Sequence, residues 1–311
     1  MTIYGLLNAG LSAVQPEQGR KGNSRAASGI ESSFALYLAN FRAQSLGALI
    51  GSISGAGNVR SFTGIDALAS PAATGSVGGL SAAGRNPSLS DPESAYAMMS
   101  VINSAAVAYQ AQSSALGEMK SWVARLQQHA MSLGSVDTAT DNSRIKSLLQ
   151  DFASQYNGWV RRFDADMRSG GVLAGTRAAQ VSRYELEQSI KNIFHGASDG
   201  LQGLRDLGLS IDPATGLATL DTARLESVLA SNRPGTIRAL QEFGADFAKA
   251  AELLGSAGNF IARQLDNLGR AIRYIDANKP ALQAEFGLGD TARPAGQVAQ
   301  ALSAYNKVGG R

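Results

Sequence analysis

Cysteine is absent from this 311-residue chain, and histidine occurs only twice. Without cysteine the protein can form neither disulfide bonds nor thiolate metal sites. The two histidines, His129 and His195, lie on different predicted helices and have no acidic cluster near them in sequence. Because a lone histidine on a helix is usually solvated or part of a core, neither one predicts a metal site or a catalytic base.

Aromatic residues and long apolar runs are also scarce. Only 6% of the residues are aromatic although 44% are hydrophobic, so alanine and leucine supply much of the apolar content. This composition is typical of long helices rather than of an enzyme rich in pockets. No apolar run approaches the roughly 20 residues that span a bilayer, and no basic segment precedes the partly apolar residues 3–14. We therefore expect no membrane insertion and no cleaved signal peptide.

Charge of one sign does not dominate the chain. No dense stripe of Lys and Arg with interleaved aromatic residues occurs, so nucleic-acid binding is not predicted. The formal net charge is +3, and the excess lies in residues 1–90, which hold Arg20, Lys21, Arg25, Arg42, Arg60 and Arg85 against Glu17, Glu31 and Asp66.

The acidic residues do not form a recognisable catalytic or metal-binding pattern. Asp164 and Asp166 are two positions apart, as are Glu185 and Glu187, so each pair points to different faces of its predicted helix. The acids of residues 199–212 lack the alternating ligands of a calcium loop. We therefore interpret the chain as a structural protein, not an enzyme, without catalytic residues, metal ligands or a cofactor.

Residues 1–90 are rich in Gly, Ser, Ala and Asn and predict a flexible extension with one short helix at residues 30–50. The run at 70–79 cannot bury enough apolar surface to offset its ordering entropy. A mobile tether is therefore expected there, or alternatively a segment that orders on assembly. Gly55-Ala-Gly57 lacks the preceding strand and the further residues of a phosphate-binding loop, so we interpret it as an ordinary loop.

Apolar residues follow a heptad pattern in two segments, 98–133 and 145–163. Both step alternately by four and three positions, which predicts long helices. Packing within the chain is the simpler interpretation of both seams, and a contact between subunits is the alternative. The seams comprise Ile102, Ala105, Tyr109, Gln112, Leu116, Met119, Val123, Leu126, Ala130 and Leu133, and then Ile145, Leu149, Phe152, Tyr156, Trp159 and Phe163.

Two further helices are predicted at residues 234–254 and 259–285. A narrow apolar stripe on the second one suits a coiled-coil contact better than the wide face of a globular helix. We therefore predict that this stripe, together with Leu116, Val123 and Leu126 of the first seam, forms an assembly interface between subunits. The stripe consists of Ile261, Leu265, Leu268, Ile272 and Ile275.

The one persuasive β element lies at residues 207–229, after a helix predicted at 178–194. Apolar residues alternate on both sides of Asp212-Pro-Ala-Thr-Gly216, which has the composition of a turn, and Gly216 is expected to have φ > 0. Asp221 then occupies an N-cap position ahead of a helix. We predict a mainly α fold: an elongated helical or coiled-coil stalk with a small α+β body that contains this β-hairpin.

Four segments, in this order, carry a family resemblance. They are residues 108–122 with the core Ala115-Leu-Gly-Glu-Met-Lys-Ser121, then Phe152-Ala-Ser-Gln-Tyr-Asn157, Gly170-Gly-Val-Leu-Ala-Gly175 and the stretch 204–221 that contains the hairpin. Together they resemble the bacterial flagellar filament-capping protein family, also called hook-associated protein 2, over about residues 93–285. The residues that match the family motifs are Phe152, Tyr156, Asn157, Gly208, Asp212, Gly216, Leu220 and Asp221.

The resemblance implies an axial protein of the bacterial flagellum whose role is steric and conformational, with no bond chemistry. It implies a homo-oligomer whose partners are flagellin and other axial proteins, and export in unfolded form, with an export chaperone, to the outside of the cell. The organisation that we predict is an export-competent extension at 1–90, a coiled-coil stalk segment at 91–135, a body at 136–254, a stalk helix at 255–285 and a tail at 286–311.

The chain departs from the family at two places. Residues 1–90 have no counterpart. Family members usually carry one or two large, mostly β domains between the coiled segment and the Phe-x-x-x-Tyr-Asn region, and here that interval shrinks to about residues 131–145. The leading hypothesis is therefore a reduced cap-like protein that oligomerises at the filament tip and guides flagellin assembly. A filament or junction component, or another secreted axial protein, is the alternative, and no binding patch in the sequence supports an adhesive role.

Overall fold

The computed structural model describes residues 79–191 and 200–309. The longest element in these ranges is helix α1, Pro92–Gly134. Asp91 caps its start by accepting a hydrogen bond from the Ser94 amide at 3.0 Å. Pro92 lies in the first turn, where a backbone N–H has no partner within the helix, so the proline costs no helical hydrogen bond. The helix ends at the glycine where the heptad pattern breaks, so the first predicted seam lies on one continuous helix.

Helices α2 and α3 follow, and their bounds lie close to the predicted ones. α2 spans Asn142–Met167, and α3 spans Arg177–Lys191. All six residues of the second predicted seam, from Ile145 to Phe163, are buried. The end of the helix predicted at 178–194 falls outside the described residues, as do His195, Gly55-Ala-Gly57, most of the run at 70–79 and the helix predicted at 30–50.

The hairpin comes next and leads into a capped helix. Strands β1, Leu209–Ile211, and β2, Ala218–Leu220, pair antiparallel. Helix α4, Thr222–Ser231, starts after Asp221, whose carboxylate accepts from the Arg224 amide at 3.0 Å. The predicted hairpin and the predicted N-cap are therefore confirmed, and with them the mainly α fold class with one small β element.

The remaining helices pack along α1. α5 spans Arg233–Gly255, α6 spans Phe260–Phe286 and α7 spans Gly296–Gly309. α1 packs against all three and against α2, so it is the central element of the described part. The predicted bounds of α5 and α6 differ from these by one residue at each end. α7 was not predicted, because it lies in the segment that we interpreted as a tail.

Buried apolar side chains form two clusters of unequal size. The main core joins α1 to α2, α3, the hairpin, α4, α5, the first half of α6 and Ala301 of α7. The small cluster joins the start of α1 to the second half of α6; its buried members are Met99, Ile102 and Ile275. Because Ile275 packs with Met99 and Ile102 while Gln264 lies beside Gln112, α6 runs antiparallel to α1.

Candidate functional site

The motif residues of α2 and those of the hairpin meet in one site. Asn157 on α2 and Ala218 on β2 are 61 positions apart and are joined by two hydrogen bonds. The Asn157 side-chain amide donates to the Ala218 carbonyl oxygen at 2.8 Å, and Asn157 Oδ1 accepts from the Ala218 amide at 2.7 Å. We call this pair of contacts the asparagine clamp.

The clamp forms because Ala218 turns its backbone polar groups away from β1. At the turn end of the hairpin the Asp212 amide donates to the Leu217 carbonyl oxygen. Hydrogen-bonded and non-hydrogen-bonded pairs alternate along antiparallel strands, so the adjacent pair, Ile211 and Ala218, is a non-hydrogen-bonded one. The amide and carbonyl of Ala218 therefore face the outer edge of β2, where Asn157 satisfies both as a neighbouring strand would.

Aromatic residues of the same α2 motif hold the helix that carries Asn157. Phe152 is fully buried, and the rings of Phe243 and Phe247 on α5 meet it edge to face, with centroid distances of 5.1 and 5.0 Å. Tyr156 is also buried, and this burial raises the pKa of its phenol above the ordinary value. Because these rings set the rotation of α2 against α5, they direct Asn157 towards the hairpin.

The turn of the hairpin is closed by Asp212. Its carboxylate accepts hydrogen bonds from the amides of Thr215 and Ala214, both at 2.8 Å, and its carbonyl oxygen accepts from the Gly216 amide at 2.8 Å. The hydrogen bonds from the Thr215 and Ala214 amides lower the pKa of the Asp212 carboxyl. Gly216 has a φ of 70°, so the predicted left-handed conformation of this glycine is confirmed.

Gly208 and Asp221 close the other end of the hairpin. The Asp221 amide donates to the Gly208 carbonyl oxygen at 2.9 Å, and Gly208 has a φ of 88°. A Cβ on Gly208 would lie 2.5 Å from the Asp221 carbonyl oxygen, so the close approach of the two backbone segments requires glycine. Leu220 lies opposite Leu209 and packs, partly buried, against the main core. The motif residues thus build the hairpin and its contact with α2.

The structure buries the residues that we predicted to form an assembly interface. Four of the five stripe residues on α6 are at most 7% exposed, and the fifth is partly buried. Their neighbours belong to the same chain, since the stripe packs along α1. The stripe and the three residues of the first seam therefore pack within the chain, and their part in contacts between subunits stays a prediction. The buried residues are Leu116, Val123, Leu126, Ile261, Leu268, Ile272 and Ile275, and the partly buried one is Leu265.

Two contacts that support this site were not predicted. Arg233, at the start of α5, donates to the carbonyl oxygens of Thr138 and Thr140 and so fastens the connection between α1 and α2. Gly244 in the middle of α5 lies against Gly134, where a Cβ on Gly244 would be 2.3 Å from the Gly134 amide nitrogen. A glycine inside a predicted helix is a signal of such close approach, and it could have revealed this contact.

The carboxylates that we excluded as pairs bind separate cations. Asp164 forms an ion pair with Arg168, whereas Asp166 forms one with Arg162 at 2.7 Å. Among the described residues, no group of three or more His, Asp or Glu is placed to hold a metal ion. None of the helices in the described ranges combines the length and the apolar character needed to cross a membrane.

Comparison with known proteins bears on the identity of this site. A family model described as flagellar hook-associated protein 2 C-terminus matches residues 125–293, a range that holds the α2 motif and the hairpin. The structure is similar to the crystal structure of the D1–D2–D3 domains of the flagellar cap protein FliD from Escherichia coli, with a TM-score of 0.38 and 18% sequence identity. That similarity covers 42% of this chain and 37% of the FliD chain, so well under two-thirds of FliD is matched. No curated protein matches the sequence.

The family match confirms the resemblance inferred from the sequence motifs. It spans more than half of the chain and includes Phe152, Tyr156 and Asn157 on α2 as well as the whole hairpin. These residues account for the asparagine clamp and for the aromatic packing behind it. This chain belongs to the flagellar hook-associated protein 2 family.

Proposed function

We propose that this protein is a cap-like axial component of the bacterial flagellum, which oligomerises at the filament tip and guides incoming flagellin into place. The observation that carries the proposal is the family match over residues 125–293, whose motif residues build the clamped hairpin. In this proposal the protein works sterically, without bond chemistry. A rigid surface positions each incoming subunit, and the protein itself is unchanged by the event.

The way in which the loops are fixed supports a steric role. Asn157 closes the edge of β2, and Arg233 holds the connection at residues 135–141. Gln241 on α5 adds a third contact, since its side-chain amide donates to the Val136 carbonyl oxygen at 2.7 Å. Loops held in this way keep the surface around them in one geometry, which lowers the entropic cost of binding a partner.

The same proposal covers the partners and the location. Copies of this chain, flagellin and other axial proteins are the proposed partners, and an export chaperone is proposed to accompany the chain before assembly. Export in unfolded form would deliver it to the flagellum outside the cell. The family membership supports this part of the proposal.

A filament or junction component is the second candidate function, and the connection between α1 and α2 favours it. Residues 135–141 join the two helices directly, at the place where the family resemblance leads us to expect large outer domains. With so short a connection, this part of the protein offers a smaller surface for covering the end of a filament. A position along the filament or at a junction needs no such cover.

Deletion of the gene tests the proposal. We expect hooks without filaments and flagellin released into the medium, with filaments restored when the intact chain is expressed. Filaments of normal length in the deletion strain would contradict the capping role. Immunogold labelling separates the two candidates, because a cap is labelled at the tip alone whereas a filament component is labelled along the whole length.

A further inference from the structure

Helix α7 is held to the rest of the protein less firmly than α6. Of residues 296–307, Ala301 alone is buried, and Val298 is packed partly against the main core. α6, in contrast, buries Ile261, Ala262, Leu268, Ile272 and Ile275. The area of apolar surface removed from water sets most of the strength of such a contact, so α7 is the more easily detached of the two helices.

The face beneath α7 consists in part of polar groups that are already paired. Arg162 on α2 donates to both carboxylate oxygens of Glu118 on α1, and it also donates to Asp166 at 2.7 Å. A cavity of about 70 Å³ lies between this network and α7, where Ala301 and Ala304 line it. Detachment of α7 would therefore expose charges that are already paired with one another and would break a contact that contains a cavity. It would not expose unpaired charges.

The segment between α6 and α7 is fixed to α1 at Asp290, and a short connection then leads from Asp290 to α7. The Asp290 amide donates to Ser100 Oγ at 2.7 Å, and the Asp290 carboxylate accepts from the Tyr96 hydroxyl at 3.0 Å. Residues 291–295 then lead to Gly296, which has a φ of 55° and begins the helix. Five extended residues reach roughly 17 Å. Exchange of α7 therefore requires a neighbouring copy whose α1–α2 face lies within this reach.

We propose that α7 is an exchangeable helix, and that in the oligomer it docks on the α1–α2 face of a second copy of this chain. The docked helix has the same sequence before and after exchange, so the contact of Ala301 with α1 is kept and no new interface has to be built. When each copy passes its α7 to the next, the contact is head-to-tail and generates a ring or a row of copies. This inference rests on the self-association that forms part of the proposed function.

Disulfide trapping tests the exchange cleanly because the chain has no cysteine of its own. The double variant A115C/A301C places thiols on α1 and α7, on the two sides of the same cavity. The control I102C/I275C joins α1 to α6 within the small cluster. The oligomeric fraction of each protein is isolated by size-exclusion chromatography with light scattering. It is then oxidised and run on non-reducing gels.

We expect A115C/A301C to give covalent dimers and larger species, and the control to give monomers with an internal disulfide. Oligomers in which the A115C/A301C disulfide is internal would overturn the exchange and leave the proposed function standing. Oligomers in which the control pair also links different copies would overturn it as well, since α6 would then move with α7. Failure of the unmodified chain to self-associate at any concentration would remove both the exchange and the proposed self-association.

A charge placed in the α7 contact provides a second measurement. A301E puts a carboxylate at the buried position of α7, whereas the control S303E adds the same charge at an exposed position of the same helix. We expect A301E to weaken self-association at least tenfold by sedimentation velocity and S303E to leave it unchanged. Equal association of A301E and the unmodified protein would overturn the exchange.

Discussion

Two asparagines satisfy pairs of backbone groups in regions of the protein that differ in burial. Asn157 contacts the amide and the carbonyl of Ala218 in a partly buried position beside the main core. Asn86 donates to the carbonyl oxygens of Ala284 and Glu285, at 3.1 and 3.0 Å, through hydrogen bonds that are exposed to solvent at the end of α6. Water competes for the second contact far more than for the first, so the same side chain is expected to stabilise the two regions unequally.

The apolar clusters around the two sites differ in the same way. The main core behind Asn157 contains the largest buried side chains of the described residues, among them Trp159 and Phe152. The small cluster near Asn86 buries Met99, Ile102 and Ile275. The hairpin region therefore keeps its geometry by excluding water, whereas the end of α6 depends on exposed hydrogen bonds. We therefore expect the end region to open first in hydrogen exchange.

Removal of an aromatic ring from the main core has the largest expected effect. Phe152→Ala deletes the ring that contacts Phe243 and Phe247 and leaves a cavity, so we expect the free energy of unfolding to fall by about 3–5 kcal/mol. Urea denaturation followed by circular dichroism measures the loss. The matched change in the small cluster, Ile102→Ala, should lower the free energy of unfolding by about 2 kcal/mol. An equal or larger loss at Ile102 would contradict the ranking of the two regions.

Removal of the asparagine clamp has the next largest effect. Asn157→Leu keeps the size of the side chain but leaves the amide and carbonyl of Ala218 without a partner, so we expect a loss of about 2 kcal/mol. Amide hydrogen exchange measured by NMR should accelerate at Ala218 more than at residues of α1. If exchange at Ala218 stayed as slow as in the unmodified protein, the clamp would not be the contact that protects the edge of β2.

The turn glycine of the hairpin gives an intermediate effect. Gly216→Val forces a β-branched residue to adopt a φ of 70°, and a left-handed conformation costs about 1–2 kcal/mol for a residue with a Cβ. Gly216→Asn is the matched control, because asparagine tolerates this conformation better. Thermal unfolding compares the two variants, and identical melting temperatures for valine and asparagine would show that strain at this position is not what glycine relieves.

Asn86, whose hydrogen bonds are exposed, should contribute less to stability than Asn157. Asn86→Leu removes the two hydrogen bonds at the end of α6, and we expect a loss of about 0.5–1 kcal/mol. The same substitution is thus made in both regions, and the difference between its two effects measures the influence of burial. A loss at Asn86 as large as that at Asn157 would mean that water exclusion does not separate the regions.

Acidification gives the smallest effect and acts on both regions. Hydrogen bonds lower the pKa of Asp212 in the hairpin turn and of Asp91 at the start of α1 below the ordinary value of 3.8. Stability that comes from a lowered pKa is fully present above the ordinary value and is lost as the pH falls through the pKa of the folded state. Urea denaturation at pH 6 and at about pH 2.5 should therefore show a smaller acid loss in Asp212→Asn and Asp91→Asn than in the unmodified protein. An unchanged acid loss in both variants would count against these two carboxyls as its source.

Local signals were sufficient to predict most of the helices and the hairpin. Heptad periodicity located α1, α2 and α6, and the N-cap at Asp221 and the turn at Gly216 were recognisable as single residues. Such signals depend on neighbours within about one helical turn, so they survive in the sequence alone. α7 escaped prediction because its contact with α1 uses Ala301, a small residue that contributes little to an apolar pattern.

The partner of each surface could not be predicted in the same way. We assigned the stripe from Ile261 to Ile275 to a contact between subunits, and the structure covers it with α1 of the same chain. A heptad pattern describes the width of an apolar stripe but not the helix that covers it. The part of this stripe in assembly therefore stays a prediction, and disulfide trapping with the control pair I102C/I275C also tests it.

The class of the fold, the hairpin with its capped helix and the family of the chain could be predicted from the sequence, because each follows from short-range patterns and ordered motifs. Only the packing of the helices shows that Asn157 closes the edge of β2 and that Gly244 lies against Gly134. Each of these contacts joins segments more than 60 positions apart, and their distance is set by how the helices pack around α1 rather than by any local preference.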